Sequence, residues 1–567
     1  MDFDDFEISQ EDLSRIDNIE ITLLNQSFQI SSDEDDNIQL LRPRLRRIIL
    51  SDSESIETEI NRAIQDLAES SPPSTWTDPK GNQRQLIAFT EIPGAPLHIR
   101  RLMTNKSPAE FYALLVTDDV FNEIVKNTNN FAIAKIVNSH EATKCARIRN
   151  WAPTNLVEIK KFFGLVLFMG LVKLPKISDY WSKDVIMGQN FPRTVMSRNR
   201  FEILLQMLHF SEQDEENKAD RLHRVRNLLN VINHNFKENY IPGEDLCIDE
   251  SVVPFRGRII FRQYNKQKRH KYGVKLFKLC TLPGYTYKIN IYAGKQNDEI
   301  NTTPTNVVME LCNDLLDKGH TLFTDNWYTN IELARKLLNR ETHLVGTLRK
   351  NRKYFPKTVV STKLKKGQFI AKESADGITV MRWKDKRDVL ILSTKHSTRF
   401  VRVVKRNKVI LKPAIIVDYN KAKGAVDLSD QMSAYQTPLR KTVKWYKKVA
   451  MDLILNVAVV NALTLYKSVT KKNIPIVDFR KEIMIDFLTK GITSEPSPSK
   501  PKRAKHELAK KEGSSKVVRR QCQQCYKQNV ATLGRLGARN KTKKVTTFCK
   551  TCPNEPFLCP ECFIKIH

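Results

Sequence analysis

The pattern of hydrophobic and polar residues divides the chain into segments of different type. From Ala109 to about residue 245, apolar residues recur at intervals of three and four, as in NLVEIKKFFGLVLFMGLV, which is typical of packed helices. From residue 246 to 349, short apolar runs of strand type, such as LCIDESVVP and GVKLFKLCTL, alternate with helical patterns such as IELARKLLNR. The sequence therefore predicts a helical region over 109–245 and an α/β core that begins at 246.

The pattern changes again in the second half of the chain. Residues 350–413 are strand-rich, with a hairpin signal at Asp376-Gly377, and we interpret them as a β-rich insertion that interrupts the core. Residues 414–436 return to the core, and 437–493 are helical. A Pro/Ser/Lys-rich linker over 494–517 precedes a cysteine-rich domain at 518–567. The fold class predicted from these segments is multidomain α/β.

The N-terminal region differs in charge from the rest of the chain. Residues 1–60 contain sixteen Asp and Glu and five Arg, and they offer little apolar surface to bury. We therefore expect residues 1–108 to be an acidic, mostly disordered region. Since Lys and Arg number 94 against 63 Asp and Glu over all 567 residues, the net charge of +31 is concentrated after this region.

The basic balance indicates a polyanionic partner, because lysines and arginines that neutralise phosphates release condensed counterions. A merely soluble basic surface is the alternative. The longest apolar run, residues 162–172, is too short to span a bilayer, and the acidic N-terminus does not resemble a signal peptide. We expect an intracellular protein that does not enter a membrane.

Four aspartates are candidates for a metal site. Asp249 and Asp325 each end an apolar run of strand type, and Asp427 and Asp430 lie three residues apart on one face of a helix. Three such acids could converge on Mg²⁺, which prefers oxygen ligands and in pairs supports phosphoryl transfer. The alternative is that they are solvated surface acids. Glu250 should face away from Asp249 on a strand, so we expect it to be structural.

Basic and aromatic residues surround these acids in the sequence. Arg349 and Arg352, in TLRKNRKY after a predicted strand, have the fork geometry that suits phosphate oxygens, although a solvated loop is the alternative. Trp445 is flanked by lysines and is a candidate either for base stacking or for helix packing. Arg256 and Lys271 add positive charge near Asp249.

Six cysteines near the C-terminus form three CxxC pairs: Cys522 with Cys525, Cys549 with Cys552, and Cys559 with Cys562. Such a turn presents two thiolates to one tetrahedral Zn²⁺, and disulfides are not expected in an intracellular chain. His567 follows the last pair. These are seven ligands, whereas two closed zinc sites need eight.

Several strings, in order, resemble the piggyBac transposase family and its domesticated relatives: IDESVVPFRGR, KYGVKL, FTDNWYTNIELAR, VGTLRKNR, DYNKAKGAVDLSDQM and RKTVKWYKKVAM. The resemblance covers about residues 110–567. It implies an RNase H-like catalytic core with a DDD triad at Asp249, Asp325 and Asp427, and Asp430 as a further family aspartate. It also implies flanking helices that bind DNA and dimerise, with Arg349, Arg352 and Trp445 at family positions near DNA.

The activity that the resemblance implies is cut-and-paste transposition, with excision through hairpin ends and integration at TTAA. The implied cofactor is Mg²⁺ or Mn²⁺, and the implied partners are double-stranded transposon ends, target DNA and a second copy of the chain, with no small-molecule substrate. The cysteine module resembles the family's cross-brace finger. In that arrangement Cys522, Cys525, Cys559 and Cys562 share one Zn²⁺, and Cys549, Cys552 and His567 hold another.

Two other functions stay open at this stage. A domesticated DNA-binding or chromatin protein would keep the fold without cutting DNA, and a zinc-finger scaffold would bind protein partners. The basic run PSKPKRAKHELAKK resembles a nuclear import signal, so we expect a nuclear protein, although a flexible basic tether would have the same composition.

Overall fold

The structure is a computed structural model that describes residues 75–81, 87–138, 151–184, 186–212, 220–265, 270–294, 303–405, 408–489 and 506–566. The described elements make up a mixed α/β fold with a helical part, a large mixed sheet and a cysteine-rich C-terminal part. Most of the predicted N-terminal region 1–108, the first part of the predicted linker and His567 lie outside the described residues.

Two segments of the predicted N-terminal region 1–108 pack on the rest of the fold. Strand β1 (Trp76–Thr77) pairs with a strand of the large sheet. Helix α1 (Leu97–Met103) buries Ile99 and Met103 in the core of the helical part. These two segments therefore contribute to the fold, and the negative charge that motivated the prediction ends near residue 60. For the part of residues 1–108 that lies outside the described residues, a mostly disordered region stays a prediction.

Among the described residues, six further α-helices and a short 3₁₀ helix (Ile177–Trp181) lie between α1 and residue 245. The α-helices are α2 (Pro108–Leu115), α3 (Asp118–Asn138), α4 (Leu156–Leu171), α5 (Phe191–Val195), α6 (Arg198–Met207) and α7 (His223–Asn239). Ser107 and Glu110 form a capping box at the start of α2, and the Asn155 side chain caps α4. Nine residues of α4 are buried, and its long hydrophobic run supplies them.

The large sheet has ten strands. Besides β1 they are β2 (Asp245–Pro254), β3 (Arg262–Tyr264), β4 (Tyr272–Thr281), β5 (Tyr285–Ile291), β6 (Thr321–Thr324), β7 (His343–Thr347), β8 (Phe369–Ser374), β9 (Thr379–Lys384) and β10 (Asp388–Ser393). The order is β1-β8-β9-β10-β7-β6-β2-β4-β3, with β5 also paired to β4. The pairs β2–β6 and β6–β7 are parallel and the others are antiparallel.

Helices cover both faces of this sheet. On one face, α8 (Pro304–Cys312) and α9 (Ile331–Leu338) share an apolar cluster with β2, β4 and β7. On the other face, α11 (Ala414–Ala422) packs on Phe323 and Val345, and α12 (Ala425–Ala434) packs on Cys247 and Cys280. Short helix α10 (Lys357–Ser361) precedes β8. The central strands are therefore buried between helix layers, as their continuous apolar runs require.

The strands of the predicted insertion are divided between two sheets. Strands β8, β9 and β10 extend the large sheet, because β10 pairs with β7. Only β11 (Phe400–Lys405) and β12 (Lys408–Pro413) form a separate hairpin. Apolar alternation identifies strands but does not reveal their pairing partners, so the sequence could not show that most of this segment continues the core sheet.

The helices after the sheet complete the helical part. They are α13 (Trp445–Asp452), a π-helical turn (Leu453–Val457), α14 (Ala458–Thr470) and α15 (Ile476–Thr489), and they share one apolar core with α2, α4 and α6. Within the described residues, one helical stretch, Trp445–Thr470, is long and apolar enough to cross a membrane. Its most apolar window is 89% buried inside the fold, as in the core helix of a globular domain.

The cysteine-rich part begins before its predicted boundary at residue 518. Strand β13 (Leu508–Lys510) pairs with β16 (Thr547–Cys549), and β14 (Arg520–Gln521) pairs with β15 (Lys544–Val545). Helices α16 (Ser515–Val518), α17 (Gln523–Lys541) and α18 (Pro560–Ile566) complete it. The end of the predicted linker therefore belongs to this module, because its backbone pairs with the strand that carries Cys549.

Candidate active site and metal centres

Asp249 and Asp325 are brought together by the pairing of two neighbouring parallel strands. The paired segments end at Ile248 in β2 and Thr324 in β6, which are partners in the register. The next residue of the chain in each case is an aspartate: Asp249 continues β2, and Asp325 follows the end of β6. Because the two strands run parallel and in register up to this point, the two aspartates lie beside each other.

Glu250 completes a group of three carboxylates. Oxygen atoms of Asp249, Glu250 and Asp325 all lie within 4.8 Å of one another. Since β6 ends at Thr324, no strand separates the two faces of the sheet at this point, and carboxylates from both faces of β2 can approach Asp325. The interpretation of Glu250 as structural assumed that successive side chains of β2 point to opposite faces of the sheet. Beyond the end of β6, that alternation no longer keeps Asp249 and Glu250 apart from Asp325.

The surroundings of the Asp325 side chain disfavour its charged form. Burial and the Glu250 carboxylate raise the pKa of Asp325 to about 6, although backbone N–H groups of Trp327 and Tyr328 partly offset this. Lys275 forms an ion pair with Glu250 at 3.1 Å and lies 4.7 Å from the ring centroids of both Phe277 and Trp327. One lysine cannot neutralise three carboxylates, so the group is suited to a divalent cation with oxygen ligands.

Asp427 and Asp430 lie on α12, which packs against β2 and β4. Asp430 accepts hydrogen bonds from Ser251 Oγ at 2.9 Å and Lys278 Nζ at 2.7 Å. Lys278 is only 1% exposed; burial opposes its charge, but Asp430 and Asp452 raise its pKa above the usual value. These contacts hold α12 against the sheet and occupy the Asp430 carboxylate with hydrogen bonds from Ser251 and Lys278.

Asp427 is exposed, one turn before Asp430, and it is not in the group of three carboxylates. The structure thus brings Asp249 and Asp325 together with Glu250. A triad that includes Asp427 stays a prediction.

Arg349 and Arg352 contact the loop that follows Asp325. Arg352 Nη2 donates to the carbonyl oxygens of Asn326 at 2.8 Å and Trp327 at 2.5 Å, and Arg349 Nε donates to Asn326 Oδ1 at 3.1 Å. Burial, together with the neighbouring Arg349, lowers the pKa of Arg352 to about 10. Both arginines are therefore next to the candidate site, and their contact with DNA stays a prediction.

The other predicted DNA-contacting residues lie around β2 to β4 and α13. Arg256 and Lys271 are exposed. Trp445 is half-buried, and its ring packs edge-on against Phe261 with centroids 5.1 Å apart. This contact is the one that the helix-packing interpretation requires, and stacking of Trp445 on a base stays a prediction.

The first cysteine cluster contains the four residues expected from the resemblance. Sulfur atoms of Cys522, Cys525, Cys559 and Cys562 lie within 4.8 Å of one another. Burial works against ionisation of Cys522, but the backbone N–H groups of Cys525 and Cys559 lower its pKa to about 7. Four sulfur ligands at this separation have the composition of a closed tetrahedral zinc site.

The second cluster contains a histidine that the sequence analysis missed. His506 Nδ1 lies 3.4 Å from Cys549 Sγ and 3.3 Å from Cys552 Sγ. This side chain reaches the cluster because β13, two residues later, pairs with β16. Its position in the basic run just before the first CxxC pair was the available signal. The predicted ligand His567 lies outside the described residues.

The acidic group has a testable effect on stability. Because the folded pKa of Asp325 is raised, its ionisation destabilises the folded state above pH 6, and this effect fades as the pH falls from 6 toward 4. In protein dialysed free of divalent cations, we expect Asp325→Asn to raise the melting temperature at pH 7.5 by roughly 2–6 °C and to have little effect at pH 4. The amide keeps the Oδ1 acceptor that receives the Trp327 N–H.

The control for this measurement is Asp317→Asn. Arg340 lowers the pKa of the exposed Asp317 carboxyl, so removing its charge should not stabilise the protein. Scanning calorimetry at both pH values measures both variants. An Asp325→Asn protein that melts at or below the wild-type temperature at pH 7.5 would show that burial and Glu250 do not disfavour the Asp325 carboxylate.

Three comparisons with known proteins agree with these observations. The family described as Transposase IS4 matches residues 107–463. The human PiggyBac transposable element-derived protein 3 is 25% identical over 450 residues, covering 74% of this chain and 72% of that protein. The human PiggyBac transposable element-derived protein 2 is 24% identical over 413 residues, covering 69% of this chain and 67% of that protein.

A solved structure shares the fold. It is the cryo-EM structure of a piggyBac transposase synaptic complex with hairpin DNA, which superposes with a TM-score of 0.61 at 26% identity. The match covers 70% of this chain and 83% of that one. Together with the family match over more than half of the sequence, this shows that the chain belongs to the piggyBac-type Transposase IS4 family.

Proposed function

We propose that this protein is a DNA transposase that cuts and rejoins phosphodiester bonds with Mg²⁺ or Mn²⁺. The observation that carries the proposal is the approach of Asp249, Glu250 and Asp325 to within 4.8 Å, just after the last paired residues of the parallel strands β2 and β6. Bound divalent ions would neutralise these acids and stabilise the charge on the attacking and leaving oxygens. A mixed sheet with its acids beside the last parallel pair of its central strands also supports the RNase H-like interpretation.

The side chains of this site have distinct parts in the proposed function. Asp249 and Asp325 supply oxygen ligands, and Asp427 is the proposed third aspartate, carried on α12. Lys278 and Ser251 hold Asp430, which fixes α12 over β2 and β4. The ion pair with Lys275 keeps the Glu250 carboxylate beside Asp249 and Asp325. In that position, Glu250 can accept a proton or share a bound cation.

The proposed partner is double-stranded DNA. The net charge of +31 favours a polyanion, and the similar solved structure is a complex with hairpin DNA. Arg256, Lys271, Arg349 and Trp445 are the proposed contacts near the acidic group. Excision through hairpin ends, integration at TTAA, action as a homodimer and a nuclear location are further parts of this proposal.

The cysteine-rich module is the proposed zinc-binding part. Cys522, Cys525, Cys559 and Cys562 would hold one Zn²⁺, and Cys549, Cys552 and His506 would hold a second, with His567 as its fourth ligand. Because the module has a small apolar core, metal binding would supply much of its folding free energy. We propose that this module recognises the transposon end.

A domesticated DNA-binding protein without cutting activity is the second candidate. The observation that favours it is the exposed position of Asp427 outside the carboxylate group. The similar human proteins are named as transposable element-derived. This candidate shares the fold and DNA binding with the first, so only the chemical step separates the two.

The cleavage experiment separates these candidates. Purified protein is incubated with Mg²⁺ and a DNA end adjoining TTAA, and nicks and hairpins are measured on a denaturing gel. We expect Asp249→Asn to lower product formation by at least 100-fold, because it removes a charged metal ligand. Glu332→Gln, an exposed acid on α9 that pairs with Lys336, is the matched control and should cleave like the wild type.

Equal cleavage by wild type and Asp249→Asn would contradict the proposed site. Metal-independent DNA binding with no products from the wild type would support the domesticated alternative.

The salt dependence of duplex binding tests the DNA-binding proposal itself. If six to ten cations contact phosphates, the duplex affinity should fall by about 10³–10⁵ between 50 and 200 mM salt. Fluorescence anisotropy with a labelled duplex measures this slope. A nearly flat salt response would favour the scaffold that binds protein partners.

Zinc analysis tests the ligand assignment. We expect about two zinc ions per wild-type chain and about one in His506→Ala, because a site left with Cys549, Cys552 and the proposed ligand His567 is no longer closed and loses affinity. Elemental analysis of the full chain after gel filtration measures the ratio. His98→Ala, an exposed histidine on α1, is the control and should keep both ions; two ions in His506→Ala would show that His506 is not a ligand.

A further inference from the structure

The Arg352 side chain spans the backbone of the loop that carries Asp325. Its Nη2 donates to two successive carbonyl oxygens, those of Asn326 and Trp327, at 2.8 and 2.5 Å. These are the two residues that directly follow Asp325. A guanidinium held by two main-chain acceptors fixes the direction in which the chain leaves the aspartate.

The other side of this loop is held by close packing. Trp327 N–H donates to Asp325 Oδ1 at 2.9 Å, and Thr329 Oγ1 donates to the Asp325 carbonyl at 2.7 Å. Gly346 of β7 lies directly against Thr329, since a Cβ at residue 346 would be 2.1 Å from Thr329 Oγ1. The loop therefore packs against β7 on one side, and on the other side Arg352 binds the carbonyls of Asn326 and Trp327.

The segment that carries Arg352 is itself fixed. Arg352 N–H donates to the Arg349 carbonyl at 3.4 Å, and the Trp76 indole of β1 donates to the Tyr354 carbonyl at 3.2 Å. Phe355 is buried in the cluster beneath. These contacts fix the position of Arg352. Through it they can hold the loop that carries Asp325 to within the small tolerance that a metal ligand requires.

The burial of Arg352 distinguishes it from the other cations of its loop. Lys350 and Lys353 are exposed, whereas the Nε of Arg352 is inaccessible to solvent and has no hydrogen-bond partner in the described residues. A phosphate group could reach the two lysines freely. The Nη2 group of Arg352 is instead directed inward, where it donates to two carbonyl oxygens of the loop.

We propose that Arg352 is a positioning residue that orients Asp325 for metal binding, and that it is not a phosphate contact. The inference rests on the proposed metal site. Residues that orient a ligand typically change metal affinity by 10- to 100-fold when they are replaced. Lysine keeps the charge but cannot reproduce the planar fork, so charge and geometry can be separated.

The experiment compares Arg352→Gln and Arg352→Lys with the matched control Lys350→Gln. Isothermal titration of DNA-free full-length protein with Mn²⁺ alone measures metal affinity, and anisotropy with a duplex measures the salt slope. We expect both Arg352 variants to weaken Mn²⁺ binding by 10- to 100-fold with an unchanged salt slope. Hydrogen exchange of residues 325–330 should be faster in both, and Lys350→Gln should bind Mn²⁺ like the wild type.

Three results would overturn the inference. Wild-type Mn²⁺ affinity in Arg352→Lys and Arg352→Gln would remove the positioning role. A salt slope reduced by about one in Arg352→Gln, with normal metal affinity, would identify a phosphate contact. Absence of Mn²⁺ binding by the wild-type protein would overturn the metal site of the proposed function as well, and is recognised because it precedes any substitution.

Discussion

The parallel pairing of β2 with β6 is the constraint on which the rest of the site depends. The register that joins Ile248 to Thr324 places an aspartate at the same level on each strand, just beyond the last shared hydrogen bonds. A shift of one residue in this register would move each side chain of the shifted strand to the opposite face of the sheet and would separate the two carboxylates. The packing of α8 and α9 on one face of the sheet, and of α11 and α12 on the other, prevents that shift.

The same constraint explains why the site is electrostatically costly and structurally rigid. Like charges at the edge of a packed sheet would separate if their supports were flexible. Here the supports come from every side: the Asx turn at Trp327, the close approach of Gly346 and the ion pair between Lys275 and Glu250. The concentrated negative charge of the three carboxylates lowers the stability of the folded state, and such a local loss of stability is typical of functional sites.

Parts of this arrangement could be predicted from the sequence, and the physical reason is clear in each case. Asp249 and Asp325 follow runs of buried strand residues, so strand ends were enough to identify them. Glu250 could not be identified, because the alternation rule holds only while neighbouring strands flank the residue. His506 reaches its cluster through pairing of β13 with β16, and the continuity of β10 with β7 is also a pairing between distant segments. Neither leaves a periodic signal.

The buried pair of Lys278 and Asp430 has a consequence for how this sequence can diverge. Replacement of Asp325 removes a charge that burial and Glu250 disfavour, so it should cost the fold little. Asp430 is different, since its loss would leave the buried ammonium group of Lys278 with Asp452 as its nearby carboxylate but without its ion pair. Relatives of this chain should therefore lose the acid at residue 325 more readily than the acid at residue 430, with residues 278 and 430 replaced together.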